Sequence, residues 1–260
     1  MKKETSWGEF ANWYDELLKE EGTYQKELIL PNLLRLLEIK KGELVVDLAC
    51  GQGFFAREFQ KTGARVVGVD ISKELIEIAK KNSPKEIEFK ISGAHNLSFL
   101  SDKSAEAIVI VLAIQNILNV QMVFEECARV LKDSGRLAIV MTHPAFRVFK
   151  ASSWGWDPLT ELTAGEKGVM YRRIDTYLSE SKDKIQMHPG DNPGAYTLSF
   201  HRPLQYYFKA LNKAGFSVGK LEEWNSHKKS QPGPRAKAED KARKEIPLFL
   251  FLEAAKEKAR

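Results

Sequence analysis

Two periods of apolar residues alternate along the central part of the chain. Short runs with apolar residues on both faces predict buried strands, and they cover residues 44–49, 65–70, 87–91, 107–113 and 135–141. Apolar residues that recur every three or four positions predict helices between them, at 54–62, 72–82 with Ser72 as N-cap, and 120–131. Strands of this kind separated by helices are typical of a parallel sheet covered on both faces.

The pattern changes after the fifth strand and then resumes. Residues 143–202 are rich in Trp, Tyr, Gly and Pro, with candidate antiparallel strands at 171–180, 184–188 and 196–201. We interpret this segment, called the lid below, as an insertion. A helix follows at 203–214, with Pro203 in its first turn and Gly215 as its C-terminal cap. Strands at 216–224 and 246–252 come last, joined without a helix.

These elements predict an α/β fold. It is a doubly wound, Rossmann-like, seven-stranded sheet, mostly parallel, with an antiparallel hairpin at its edge and the lid inserted after the fifth strand. Residues 41–142 and 203–260 form the α/β domain, and helices at 7–19 and 25–37 precede it within residues 1–40. The first of these helices carries an apolar stripe, which either packs into the core or closes a ligand pocket: Trp7, Phe10, Trp13, Tyr14 and Leu17.

A glycine turn between the first strand and its helix carries the candidate chemistry. Gly51 and Gly53 allow the backbone N–H groups at the helix start to approach a ligand closely. Together with Ala56 they fit the dinucleotide fingerprint, and Asp70 ends the second strand at the distance expected of a ribose contact. An NAD(P)-binding oxidoreductase is therefore one interpretation.

Asp47 favours a different ligand. Its carboxylate ends the first strand, four residues before Gly51, where it would repel the pyrophosphate of a dinucleotide in a partly desolvated cleft. The ligand is expected to be cationic near Asp47. S-adenosylmethionine has an ammonium and a sulfonium at one end and a ribose diol for Asp70 at the other.

Over roughly residues 44–141 the chain resembles the class I S-adenosylmethionine-dependent methyltransferases, most closely the small-molecule group that includes the ubiquinone/menaquinone-biosynthesis type. Residues 47–53 are similar to that family's glycine-rich first motif, with Ala49 in place of its first glycine. Asp70 and Ile71 are similar to the second motif, in which the acid holds the ribose hydroxyls and the next residue packs on adenine.

Two further motifs carry the resemblance. Residues 92–97 stand where the family has an Asp-Ala pair around adenine, with Gly93 at the Asp position, so His95, Asn96 or the backbone would contact the adenine amino group. Residues 113–117 resemble the motif that closes the fourth strand near the transferable methyl. Cofactor-binding roles are implied for Asp47, Ala49, Gly51, Gly53, Asp70, Ile71, Gly93, Ala94, His95, Ile114 and Gln115. Core packing is the alternative for Ala94 and Ile114.

The sequence indicates the residues that bind the methyl acceptor less clearly than those that bind the cofactor. Methyl transfer to a nucleophilic atom needs in-line positioning and a base only where the acceptor loses a proton. His143, after the fifth strand, and His201, before the next helix, are the candidates for that base. The aromatic residues of the lid either form its own core or line an apolar pocket. The candidate acceptor pocket comprises Tyr14, Asn116, Phe146, Trp154 and Trp156.

Charge and composition narrow the function classes. The chain has 260 residues and a net charge of +5, of which residues 227–245 hold seven Lys/Arg against three acids. This uneven charge is more typical of a solvated loop than of a nucleic-acid-binding face, although an RNA methyltransferase that uses this segment is an alternative. A cofactor-binding regulator without enzymatic activity is another. We expect a small-molecule acceptor, aromatic or amphipathic, and S-adenosylhomocysteine as the second product.

The remaining sequence features concern location and metals. The longest apolar runs are far shorter than the roughly 20 residues that a bilayer span requires, and the N-terminus has no apolar signal core. Cys50 and Cys127 have neither metal-type spacing nor a disulfide framework. We therefore expect a cytoplasmic protein without a metal centre.

Overall fold

The structure is a computed structural model that describes residues 7–163, 166–186 and 196–257. Its strands are β1 Leu44–Leu48, β2 Arg65–Asp70, β3 Glu88–Ile91, β4 Ala105–Val111, β5 Leu131–Thr142, β6 Ser152–Thr163, β7 Glu166–Ile174, β8 Ser181–Gln186, β9 Tyr196–His201, β10 Phe216–Trp224 and β11 Phe249–Lys256. Its α-helices are α1 Ala11–Lys19, α2 Leu30–Leu37, α3 Phe54–Gln60, α4 Lys73–Asn82, α5 Val120–Val130, α6 Leu204–Lys213 and α7 Ala236–Glu245.

Seven strands form one sheet in the order β10–β11–β5–β4–β1–β2–β3. β1 pairs in parallel with β2 and β4, and β4 pairs in parallel with β5. β11 is antiparallel to both of its neighbours, β5 and β10. The predicted fold class is confirmed, because the sheet is mostly parallel and has an antiparallel edge.

Helices cover both faces of this sheet. α5 and α6 pack on one face with Phe124 and Tyr207, whereas α2, α3 and α4 pack on the other with Leu33, Phe59 and Ile76. α2 continues from a π-helical turn, Gln25–Ile29, and a 3₁₀ turn, Trp7–Phe10, leads into α1. Burial on both faces explains why the central strands carry apolar residues on both faces.

Between β5 and α6 the lid contains two hairpins, β6–β7 and β8–β9, each a separate two-stranded sheet. β6 was not among the predicted strands, and the residues 175–180 assigned to a strand form a turn instead. α6 begins at Leu204, so Pro203 is its extended N-cap residue and not a member of its first turn.

The prediction that the last two strands are joined without a helix is wrong. α7 lies between β10 and β11 and contains most of the basic segment. Only Ala242 of this helix is buried, so the apolar periodicity that reveals other helices is missing from its sequence. α7 packs against β7 of the lid. Across the described residues, no helix is long and apolar enough to cross a membrane.

Candidate functional site

A cleft of about 380 Å³ opens at the carboxyl ends of β1, β2 and β4. This is the edge of an open α/β sheet at which ligands bind. Eight of the eleven predicted cofactor-binding residues line it: Asp47, Ala49, Gly51, Asp70, Ile71, Gly93, Ala94 and His95. Trp7 and Leu18 also line it, so residues at both ends of the N-terminal segment 7–19 contribute to its wall.

The turn after β1 has an unusual backbone. Ala49, Gly51 and Gly53 have φ of 60°, 57° and 80°, in the left-handed region that favours glycine. The N–H of Cys50 donates to the carbonyl of Val69 at 2.9 Å, which ties the turn to β2. Gly53 then starts α3. The turn therefore exposes backbone to the cleft at a fixed position.

Asp70 connects this turn to the end of β2. Its Oδ2 accepts a hydrogen bond of 2.9 Å from the N–H of Gly51, and its Oδ1 accepts one of 2.8 Å from the N–H of Ser72. Burial raises the pKa of Asp70, and these backbone hydrogen bonds oppose that rise. A carboxylate has about four acceptor positions, so Asp70 retains capacity to accept a hydrogen bond from a ligand hydroxyl.

Asp47 is the most strongly perturbed acid of the site. It is 1% exposed, and its Oδ2 is buried with no hydrogen-bond partner. Desolvation raises the pKa of Asp47 to about 7, although a backbone hydrogen bond from Ala56 opposes the rise. A buried carboxylate oxygen without a partner is costly, and a cationic ligand group in the cleft would compensate for it.

The wall opposite the turn comes from the ends of β2 and β3. Ile71 is 39% exposed, which leaves an aliphatic surface for a flat ring. The imidazole of His95 covers Gly93 so closely that a Cβ on Gly93 would lie 2.8 Å from its Cε1. His95 therefore occupies the space beside Gly93 into which a side chain at that position would extend.

Three predicted cofactor residues lie outside the cleft lining. Gly53 faces the interior, where an added Cβ would lie 2.9 Å from the ring of Phe89. Ile114 is fully buried in the core, which is the alternative considered for it. The Nε2 of Gln115 donates to the carbonyl of Leu112 at 2.8 Å, so this side chain is used within its own turn.

The predicted acceptor residues are dispersed. Asn116 lines the cleft, whereas the side chain of Tyr14 lies outside the part that the structure describes. Phe146 packs against the ring of His143, with 4.7 Å between the ring centroids. Trp154 and Trp156 lie on the β6–β7 hairpin and do not line the cleft.

Neither candidate base lines the cleft. His143 is 3% exposed, and its Nε2 lies 2.8 Å from Oε1 of Glu223 on β10, towards the far edge of the sheet. Burial lowers the pKa of His143, and Glu223 opposes that effect. The Nε2 of His201 lies 2.7 Å from the carbonyl oxygen of Tyr177 in the lid. Both predictions used the position of a residue at the carboxyl edge and could not give the direction of its side chain.

Several site residues were not predicted. Ile117, Leu118 and Asn119 line the cleft beyond β4, and Leu112, which also lines it, has φ of 53°. Arg202, which is 4% exposed, supports this wall. Its Nη2 donates to the carbonyls of Ile117 and Leu118 at 2.9 and 2.8 Å. No local sequence signal identifies such a contact, because its partners are about 85 residues away along the chain.

Comparisons with known proteins give the family of this chain. Residues 46–139 match the family described as "Methyltransferase domain". The chain is 30% identical over 163 residues to a magnesium-protoporphyrin O-methyltransferase of Rhodobacter capsulatus, covering 62% of this chain and 67% of that protein. It is 39% identical over 111 residues to a demethylmenaquinone methyltransferase of Thermotoga maritima, covering 42% and 47%.

The match to the Thermotoga maritima protein thus spans about half the length of that relative. Among solved structures, an S-adenosylmethionine-dependent methyltransferase from Mesorhizobium loti superposes with a TM-score of 0.66 at 23% identity. That likeness covers 87% of this chain and 96% of the other, and it concerns the fold.

Proposed function

This chain belongs to the class I S-adenosylmethionine-dependent methyltransferases, and we propose that it transfers the methyl group of S-adenosylmethionine to a small-molecule acceptor. The observation that carries the proposal is one cleft that combines the unpaired carboxylate oxygen of Asp47, the carboxylate of Asp70 and an apolar mouth. Each of these matches a different part of the cofactor or its acceptor.

The residues of the cleft fit the cofactor. Asp47 would compensate the cationic methionine end, and Asp70 would accept hydrogen bonds from the ribose diol. Ile71 would pack on adenine, with Gly93, Ala94 and His95 around the edge of the ring. When bound, the cofactor supplies an electrophilic methyl group on a sulfonium, and S-adenosylhomocysteine is the product.

The acceptor would enter beside Asn116. Ile117, Leu118, Trp7 and Leu18 provide apolar surface there, and Asn116 and Asn119 provide amides. The relatives named above act on demethylmenaquinone and magnesium-protoporphyrin, which are small molecules. We extend that acceptor class to this chain, since the cleft is lined by apolar residues of the N-terminal segment and by the amides of Asn116 and Asn119.

The chemistry would depend on positioning. A nucleophile held in line with the methyl group and shielded from water needs little further assistance. His143 and His201 are occupied by Glu223 and the carbonyl of Tyr177. We therefore assign the orientation of the acceptor to Asn116 and assign neither histidine as a base.

The RNA alternative has less support. Among the described residues, none from the basic segment 227–245 lines the cleft, and α7 packs on the lid hairpin instead. The NAD(P) alternative conflicts with the membership of the family, and a pyrophosphate would not compensate the buried, unpaired carboxyl oxygen of Asp47.

Transfer of tritium from methyl-labelled S-adenosylmethionine tests the proposal. The purified protein is incubated with a panel of hydroxylated quinones, phenols and heterocyclic amines, and in parallel with total RNA. We expect label in an organic-soluble product. The amount of label should fall at least tenfold in Asn116→Ala and should not change in Gln121→Ala, on the exterior of α5. Label in RNA alone would overturn the acceptor class, and cofactor binding without transfer to any acceptor would favour a regulator.

A further inference from the structure

A second cavity of about 240 Å³ lies between the β6–β7 hairpin and α7, lined by Trp154, Met170, Glu239 and Arg243. None of these residues lines the cofactor cleft. The cavity is therefore a separate feature, formed by the lid and the helix that the sequence did not predict.

One face of the hairpin supplies the apolar wall of this cavity. Trp154 pairs with Arg172 and Trp156 with Met170 across the two strands, so these four side chains project from the same face. The opposite face carries Tyr171 and Arg173. A flat apolar surface of two indoles and a thioether thus faces α7.

Guanidinium groups surround the indoles. Those of Arg147 and Arg172 each lie 5.3 Å from the ring centroid of Trp154, and that of Arg235 lies 5.0 Å from the ring of Trp156. Arg243 lines the cavity itself, and the described lining contains one acid, Glu239. Arg147 and Arg172 lie beside Trp154, the indole that lines it. Asp240 occupies the next position of α7, and a backbone hydrogen bond from Ser230, with a smaller contribution from Arg243, lowers its pKa.

Two of these cations are poorly compensated. The Nε of Arg147 is buried with no hydrogen-bond partner. Among the described residues, Arg172 donates to two uncharged oxygens, the carbonyl of Phe146 and the hydroxyl of Ser152. Burial, with a smaller contribution from Arg172, lowers the pKa of Arg147 to about 10. Desolvated like charges are costly unless an anion compensates them.

We propose that this cavity binds a small planar ligand that carries a carboxylate, with its ring system against Trp154 and Met170 and its anionic group among Arg147, Arg172 and Arg243. Guanidinium forks match a carboxylate in geometry as well as in charge. Indole faces and a thioether suit an aromatic body. The site does not depend on the methyl-transfer proposal, because it shares no lining residue with the cofactor cleft.

Calorimetric titration with 2-naphthoate, in the presence of saturating S-adenosylhomocysteine, tests this site. The neutral 2-naphthamide is the matched ligand, and Arg173→Gln, on the opposite face of the same hairpin, is the matched variant. We expect 2-naphthoate to bind at least tenfold more tightly than 2-naphthamide. Arg147→Gln and Arg243→Gln should each weaken it at least tenfold, with no change in Arg173→Gln. Quenching of tryptophan fluorescence should be lost in Trp154→Phe.

Equal affinity for the two naphthalene derivatives, or unchanged affinity in both arginine variants, would overturn the proposal. Failure of 2-naphthoate to bind would overturn it as well. Because Arg147 is partly buried, the affinity for S-adenosylhomocysteine is measured in each variant to establish folding. Should Arg147→Gln not fold, Arg243→Gln on the exterior helix decides the question alone.

Discussion

Among the cleft residues, Asp47 has the environment that most directly indicates the charge of the ligand. A carboxylate that is 1% exposed, with one oxygen unpaired, is expected at a position where a cation arrives on binding. Its pKa of about 7 places the charge change within the physiological range. Because the folded-state pKa is raised above the ordinary value, Asp47 is neutral below about pH 7 in the free protein and charged above it.

This environment predicts a pH dependence of binding. If the charged form of Asp47 is the one that binds a cationic ligand, affinity for S-adenosylhomocysteine should rise about tenfold from pH 6 to pH 8, through the midpoint near pH 7. Calorimetry at several pH values measures it. In Asp47→Asn the affinity should be lower and the profile flat, and an equally steep profile in that variant would assign the titration to another group.

Ala49 and Gly53 have similar positive φ angles but opposite requirements. Ala49 is a non-glycine residue at φ 60°, a conformation that costs an L-residue roughly 1–2 kcal/mol. Gly53 at φ 80° has no space for a Cβ, because Phe89 and Ala79 lie 2.9 and 3.2 Å from that position. The first position tolerates strain that glycine would relieve, whereas the second requires glycine.

Substitutions at these two positions should shift stability in opposite directions. Ala49→Gly should raise the free energy of unfolding by about 0.5–1 kcal/mol, since relief of strain exceeds the entropic cost of glycine. Gly53→Ala should lower it by about 1–3 kcal/mol through strain and overpacking. Urea denaturation measures both. A less stable Ala49→Gly would show that the turn is not strained there.

Among the elements, those with a strong periodic signal were predictable. β2 has the predicted bounds, and Ser72 caps α4 by accepting a hydrogen bond from the N–H of Leu75 at 3.2 Å. α7 was missed because one buried alanine gives no apolar period. β6 was missed because its pairing with β7 is interrupted after Asp157 and its sequence contains a proline at 158.

Arg202 connects the lid to the wall of the cofactor cleft. It follows β9 directly, stacks against Phe200 and Tyr206, and holds the carbonyls of Ile117 and Leu118 that border the cleft. A lysine keeps the charge of this residue but loses its planar fork. The connection between the lid and the cleft wall therefore depends on the guanidinium.

Arg202→Lys should accordingly lower the free energy of unfolding by about 1–3 kcal/mol, through the loss of charge-assisted hydrogen bonds in a buried position. It should also raise the KM for the acceptor more than the Kd of S-adenosylhomocysteine. Arg173→Lys, at a side chain that is 66% exposed, is the control and should change stability by no more than about 0.5 kcal/mol. Equal stability of the two variants would show that Arg202 does not hold the wall.

For the whole molecule, the sequence located the cofactor side of the site better than the acceptor side. Asp47, Gly51 and Asp70 converge because strand ends and the turns that follow them are fixed by the parallel sheet. The position of His143 depends on which way its side chain points after β5 ends, and that of Trp154 depends on where the β6–β7 hairpin packs. Both are decided by tertiary partners such as Glu223 and Arg172, which no local pattern identifies.

The central claim is that the cleft at the ends of β1, β2 and β4 holds S-adenosylmethionine through Asp70 and the turn beside it. Calorimetric titration with S-adenosylhomocysteine tests it most directly, with NAD and NADP as controls and Asp70→Asn as the variant. We expect micromolar affinity for S-adenosylhomocysteine alone, weakened by about 1.5–3 kcal/mol in Asp70→Asn. Binding of a nicotinamide cofactor instead, or unchanged affinity in Asp70→Asn, would contradict the account.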